Sequence, residues 1–284
     1  MFKRLLIGMS LAGLAAIAAA PAHADEWNKK YSVSGKPSVH VETDDGDIEI
    51  SPGSASEIDA RVVTTGYKIS PNDVHVIESQ QGNQIELIVK TPKHMFSFGV
   101  MHHNIHVQVQ VPSQSDLDLR SGDGNVHSGP ITGTIKIDTG DGNINSNGLH
   151  GDVHLHTGDG HIEGTDFDGT LSADTGDGHI TIRGRFDGLY LKSGDGSIAA
   201  EVQPGSKIAT SWTLHTGDGH IDIKLPDGFS AELDAHTGDG RISLDFPVTV
   251  SGMVSESRIH GKINGGGGTL ALTSGDGSIR VEKL

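Results

Sequence analysis

The sequence predicts an all-β fold, a parallel β-solenoid with coils of about 18 residues; an antiparallel β meander or sandwich is the alternative. Three observations predict it. The phrase [Ser/Thr]-Gly-Asp-Gly-x-[Ile/Val] begins at Ser121, Thr139, Thr157, Thr175 and Ser193, one copy every 18 residues, and returns at Thr216, Thr237 and Ser274. A fixed period of this kind marks a repeat architecture. Apolar residues keep phase with the phrase: Val126, Ile144, Ile162, Ile180, Ile198, Ile221, Ile242 and Ile279 each follow its second glycine by two positions. Finally, beyond the first 24 residues no stretch carries helical periodicity.

Taken in order, residues 1–24 read as a removed signal peptide. Lys3 and Arg4 precede an apolar run from Leu5 to Ala20, and Ala22-His23-Ala24 is a small-x-small cleavage site. The mature chain is expected to start at Asp25, with Asp25 to Tyr31 as a lead-in. An N-terminal β block, residues 25–114, follows. Ser38–Val41, Asp47–Ser51, Ile58–Val63, Val74–Glu78 and Gln84–Lys90 read as strands between turn signals such as Ser70-Pro71-Asn72-Asp73. Thr91–His103 reads as a loop or a hydrophobic edge cover. Ile105–Val111 alternates apolar and polar residues cleanly until Pro112 ends it, the pattern of a half-buried strand.

Residues 115–284 form the repeat region, expected to continue the N-terminal block in one unit. Ile135, Val153, Leu171 and Leu189 make a second apolar column, and Ile137, Leu155, Ala173 and Leu191 a third. Gly133, Gly151 and Gly169 recur between the strands, with Gly188 one step late. Each unit is therefore two short strands joined by two chemically different turns. Constant apolar columns suit stacked coils that share one core. An Asp-Gly turn is also a hairpin signal, which keeps the meander open. The wider later spacings read as insertions at Pro204–Trp212 and Phe246–Gly268, before a last strand pair at Thr269–Thr273 and Ser278–Val281.

Composition narrows the function. There are 37 acidic and 21 basic residues, a formal net charge of −16, which disfavours nucleic acid and anionic membrane as partners. Cysteine is absent, so no disulfide framework and no lipid-modified N-terminal cysteine can form. No later segment has the length of a membrane span. The expectation is a protein exported through its signal peptide, periplasmic or secreted to the cell surface.

The export signal, the strand ending in Val107–Pro112, the serial Thr-Gly-Asp-Gly-x-Ile turns and the closing Ile263–Glu282 together resemble the DUF4097 family, whose members are labelled putative adhesins. Family members more often carry Asp directly before the Ile; here that slot holds Asn, His, Ser or Arg, and Asp stands between the glycines. The resemblance implies an extracytoplasmic β-repeat protein with no enzymatic activity attached to it.

The repeated aspartates are the first candidate site. Stacked coils place Asp123, Asp141, Asp159, Asp177 and Asp195 in a column. Like charges ~4.8 Å apart repel by about 0.9 kcal/mol in water. Hydrogen bonds from the turn's own backbone N–H groups offset this in the structural reading. Bound Ca²⁺ offsets it in the metal reading. His156 and His161 flank Asp159, and His215 and His220 flank Asp218, a pattern that would suit Zn²⁺ or Cu²⁺ but equally a solvated polar ladder. His94, His102, His103 and His106 form a similar cluster.

For catalysis the chain offers no cysteine nucleophile and no Gly-x-Ser-x-Gly elbow. Phe186, Tyr190 and Trp212 could make a small sugar platform or belong to the core. The leading expectation is a non-enzymatic envelope or surface protein that binds a surface protein or polysaccharide. A calcium-binding repeat protein is the rival, and a carbohydrate-active β-helix enzyme is third.

Overall fold

The computed structural model describes residues 24–91, 104–250 and 255–284. Among them there is no helix, and twenty-three strands join in one mixed sheet. The predicted loop at Thr91–His103 falls almost wholly outside the described residues, as does the signal peptide up to residue 23.

The sheet folds into two ladders facing one core. Every repeat unit sends one strand to each, and successive units pair in parallel. In the first ladder Leu117, Ile135, Val153, Leu171 and Leu189 are successive register partners. In the second, Val126, Ile144, Ile162, Ile180, Ile198, Ile221, Ile279 and Ile242 follow one another. These are the apolar columns of the sequence, and all are buried. A side-chain period of two explains why: with the [Ser/Thr]-Gly-Asp-Gly turn held constant, every unit delivers its Ile to the same face.

Two long strands, Ile162–Thr175 and Ile180–Ser193, run through both ladders and bind them into one sheet. The bend of the first is marked by Asp166, at φ +59°, and Gly169, at φ +133°. The register slips twice, between Gly164 and Phe167 and back between Gly169 and Thr170, so Gly169 stands opposite Phe186 while Gly188 stands opposite Thr170. Inside the bend an aromatic line fills the core, Phe167 to Phe186 to Trp212 to Phe229, with centroids 6.4, 6.3 and 5.3 Å apart. Phe186 and Trp212 are therefore core residues. Tyr190, 44% exposed, is the one of the three that reaches solvent.

The antiparallel pairs lie at the two ends of the stack. At one end Asn104–Val111 pairs with Glu57–Thr65, which pairs with Ala24–Ser32, while His75–Gln81 covers Gln84–Lys90. The expected lead-in is thus an edge strand. Its charged residues Asp25, Glu26, Lys29 and Lys30 hid the alternation, since only Tyr31 is fully buried. At the other end Ala231–Thr237 pairs with Arg258–Ile263, which pairs with Val248–Val250, so the expected insertion after Phe246 is itself partly strand.

Stack order departs from chain order at both ends. Strands Ser38–Thr43 and Asp47–Pro52 sit between the unit of residues 84–111 and that of 116–128. Thr269–Ser274 and Ile279–Lys283 sit between the units of residues 211–225 and 231–244. Each terminal unit is second from its end.

Candidate functional site

The Gly-Asp-Gly turns line up along one edge between the ladders, and their polar work is done by the residue before the first glycine. The Thr157 hydroxyl donates to the Gly142 carbonyl of the preceding unit at 2.8 Å and accepts the Gly160 N–H of its own turn at 3.2 Å. Thr175 repeats this with Gly160 and Gly178, Ser193 with Gly178 and Gly196, and Thr216 with Gly196 and Gly219. Ser121, Thr237 and Ser274 do the same, and Thr43 accepts the Gly46 N–H in the degenerate first copy. All are buried. A small hydroxyl is required because the group must donate and accept within one strand spacing while facing the core.

The glycines are needed for closeness, since none of these turns uses a positive φ. The Gly158 N–H meets the Gly140 carbonyl at 2.5 Å. A Cβ built on Gly142 would collide with the Gly124 carbonyl oxygen.

The slot after the second glycine carries a ladder of its own. Each side chain there accepts the backbone N–H of the equivalent residue in the next unit. Asp47 Oδ1 takes Asn125 N–H at 2.8 Å, Asn125 takes Asn143 at 2.9 Å, and Asn143 takes His161 at 2.8 Å. His161 Nδ1 takes His179 at 3.0 Å, His179 Nδ1 takes Ser197 at 2.9 Å, and His220 Nδ1 takes Ser278 at 2.9 Å. The His161 and His179 rings stack, 5.2 Å apart and 7° from parallel. With Nδ1 accepting, the ring proton sits on Nε2, the atom left for solvent.

Asp123, Asp141, Asp159, Asp177 and Asp195 occupy equivalent exposed positions on this edge. Their carboxylates accept no hydrogen bond from the described residues. The expected bonding of the turn N–H to Asp is therefore replaced by bonding to Ser or Thr. In the degenerate first copy, partial burial, followed by the charges of Asp123 and Asp44, raises the Asp45 carboxyl above the usual range. His156 stands on the first ladder between Asp138 and Asp174, and His215 between Lys192 and Thr273, whereas His161 and His220 are the turn residues just before the second-ladder strands that begin at Ile162 and Ile221. Among the described residues no three His, Asp or Glu side chains converge on a metal-sized space. His94, His102 and His103 lie outside those residues; His106 hydrogen-bonds Glu49 at 3.0 Å.

A second feature was not anticipated. The outer face of the second ladder holds two contiguous depressions of about 410 and 360 Å³ that share Glu163, Gly164 and Thr165. One extends to His127, Asn145 and Asn147, the other to Arg183, Ala199 and Lys224. In this clearing Asn145, Thr181 and Ala199 are the short members of an outward column that also holds His127 and Glu163. Ser146, whose buried Oγ has no partner, and Gly164 lie in the floor of the clearing. The Arg183–Glu201 ion pair, 2.9 Å, borders it. No local run in the sequence signals the clearing, because Glu163 separates Asn145 from Thr181 in the column. The Lys90 ammonium holds Glu42 below the usual carboxylate range, and hydrogen bonds from Gln108 and His106 do the same for Glu49.

The family model for Toastrack DUF4097 matches residues 37–282. The chain belongs to the DUF4097 family. The match runs from the first parallel strand to the last, so it takes in both interleaved terminal units. Among solved structures, one described as a "putative lipid binding protein" from Parabacteroides distasonis ATCC 8503 is 13% identical, covering 90% of this DUF4097 chain and 96% of its own, with a TM-score of 0.51. A "putative adhesin" from Bacteroides fragilis NCTC 9343 is 12% identical over 91% of this chain and 97% of its own, TM-score 0.40. A "putative cell adhesion protein" from Clostridium sporogenes ATCC 15579 is 11% identical over 91% and 100%, TM-score 0.33. None of these names is enzymatic. No curated protein matches the sequence.

Proposed function

We propose that this protein is an exported, non-enzymatic interaction protein of the cell envelope or surface. In this reading it is a parallel β-solenoid in which residues 25–114 and 115–284 form one continuous stack, and it binds through the outer face of the second ladder. The observation that carries the reading is the clearing from His127 to Lys224. It crosses six units, about 24 Å at ~4.8 Å per unit, a length that suits an extended polymer better than a compact metabolite. Neutral donors and acceptors on Asn145, Asn147, Thr165 and Thr181 suit a hydroxyl-rich chain, so a surface polysaccharide is the favoured partner and an extended protein segment the other.

The test is binding of the purified chain to envelope polysaccharide. Ala199→Arg, which fills the clearing, is expected to weaken binding at least tenfold, and Asp159→Asn on the turn edge to leave it unchanged. The reverse pattern would move the site to the turn edge.

A second reading has one observation in its favour. The five exposed aspartates stand in line, and no hydrogen bond from the described residues reaches their carboxylates. Ca²⁺ at Asp123, Asp141, Asp159, Asp177 and Asp195 would relieve their repulsion. Zn²⁺ at His156, His161, His215 and His220 fits less well, because the Nδ1 atoms of His161 and His220 already accept backbone N–H groups. A rise in melting temperature with calcium that Asp159→Asn and Asp177→Asn diminish would support the calcium reading.

A further inference from the structure

The last unit of the chain is a wedge. Leu270 pairs with Trp212 on one side and Leu233 on the other, and Ile279 pairs with Ile221 and Ile242. Both flanks are parallel, and Leu270, Leu272, Ile279 and Val281 are fully buried. The hydroxyl ladder passes through it: Ser274 donates to the Gly219 carbonyl, and Thr237 donates to that of Gly277. Without residues 269–283 the unit of residues 231–244 has, among the described residues, no neighbour in either ladder except its own antiparallel cover.

A single linker attaches this wedge. Ile263 ends a strand on one side of Ala231–Thr237, and Thr269 begins the strand on its other side. The linker Asn264-Gly265-Gly266-Gly267-Gly268 therefore crosses under one strand, a straight-line distance of ~10 Å. Its five residues can reach about 20 Å. Asn264, Gly265 and Gly266 have φ of +47°, +89° and +91°, and an added Cβ on Gly265 would meet nothing within 4 Å. Asn264 Nδ2 donates to the carbonyls of Asp227 and Phe229 at 2.9 and 2.8 Å, Ser230 Oγ donates to the Asn264 carbonyl at 3.1 Å, and the Glu232 N–H donates to the Gly268 carbonyl at 3.0 Å, beside Ile208.

We propose that residues 269–283 are an exchangeable unit, and that this protein self-associates by trading them reciprocally between two copies. The slot makes no distinction between its own wedge and that of a second copy. The register, the buried Leu and Ile contacts and the hydroxyl bonds are the same in both, and only the path of the linker differs. Reciprocal exchange gives a closed two-fold dimer, the low-cost route to association for an element on a hinge. This inference does not rest on the binding face proposed above.

The absence of cysteine permits a direct test. Ser211 and Thr269 are register partners across the slot, within the reach of a disulfide. Two full-length preparations, one carrying Ser211→Cys and the other Thr269→Cys, are mixed below the melting midpoint at several concentrations and then oxidised. Only exchange can place the two thiols side by side. The expected result is a disulfide-linked heterodimer that increases with concentration and exceeds severalfold the linked product of the Ser211→Cys preparation alone. Deleting Gly265 to Gly268 in both chains leaves one linking residue, a reach of about 7 Å that closure within one chain cannot use, and is expected to raise the heterodimer further. A full-linker mixture whose heterodimer stays at the level of the single-variant control at every concentration would overturn the proposal, whatever the deletion variant does.

Discussion

Thr157 shows what the repeat phrase requires at the residue scale. Its hydroxyl is buried and satisfied on both sides, by Gly142 and Gly160. Thr157→Val keeps the shape and removes both bonds, leaving a carbonyl and an N–H unpaired in the core. A cost of about 2–4 kcal/mol is expected by denaturant unfolding, against less than about 0.5 kcal/mol for Thr157→Ser, since Ser fills the same role at 121, 193 and 274. Asp45 makes the opposite kind of prediction. Burial, Asp123 and Asp44 raise its carboxyl, so the folded state holds the proton more tightly than the unfolded one. Its charge therefore costs stability at neutral pH, and the cost fades as pH falls through its folded value. Asp45→Asn should stabilise the fold at pH 7 by a fraction of a kcal/mol after solvent screening, seen as a higher melting temperature, and leave the melting temperature unchanged at pH 3. The sequence made the aspartate conspicuous because it is charged. The serine or threonine, invariant across all eight full copies, was equally visible but reads as a neutral turn residue until its hydroxyl is seen facing inward.

At the scale of the element, the slot after the second glycine links strand to strand through side-chain acceptors. The ladder tolerates Asp, Asn, His and Ser because each presents an acceptor at similar reach. His179→Asn should therefore leave the melting temperature within a degree or two of the parent, while His179→Leu strands the Ser197 N–H at a partly exposed site, a loss of about 1 kcal/mol. The glycines of the turn are stricter. Gly142→Ala drives a Cβ into the Gly124 carbonyl, and the strain is expected to cost about 3 kcal/mol. Apolar columns with period two were legible in the sequence because every unit repeats them. The edge strand Ala24–Ser32 was not, because a strand that covers an end buries little and keeps no strict alternation.

For the whole molecule, the sequence shows that there are units but not how the terminal ones are threaded. Both terminal units slip into second place, and nothing in a local pattern distinguishes Ile279 stacking on Ile221 from Ile279 stacking beyond Ile242. The clearing on the second ladder was missed for a similar reason: it is made by what Thr181 and Ala199 lack, and only stacking brings those absences together. The repeat motif, on this account, builds the scaffold with its own hydroxyls and backbone, and interaction belongs to the ladder face. The most direct test is a thermal melt of residues 25–284, followed by far-UV circular dichroism, in EDTA and then with calcium in hundredfold excess over a weak dissociation constant. Self-sufficient turns predict the same midpoint in both. A site filled only in the folded state would add about 2.7 kcal/mol under those conditions. A rise of that size with calcium, or loss of the β signal in EDTA, would contradict the account and make the aspartate edge a metal centre.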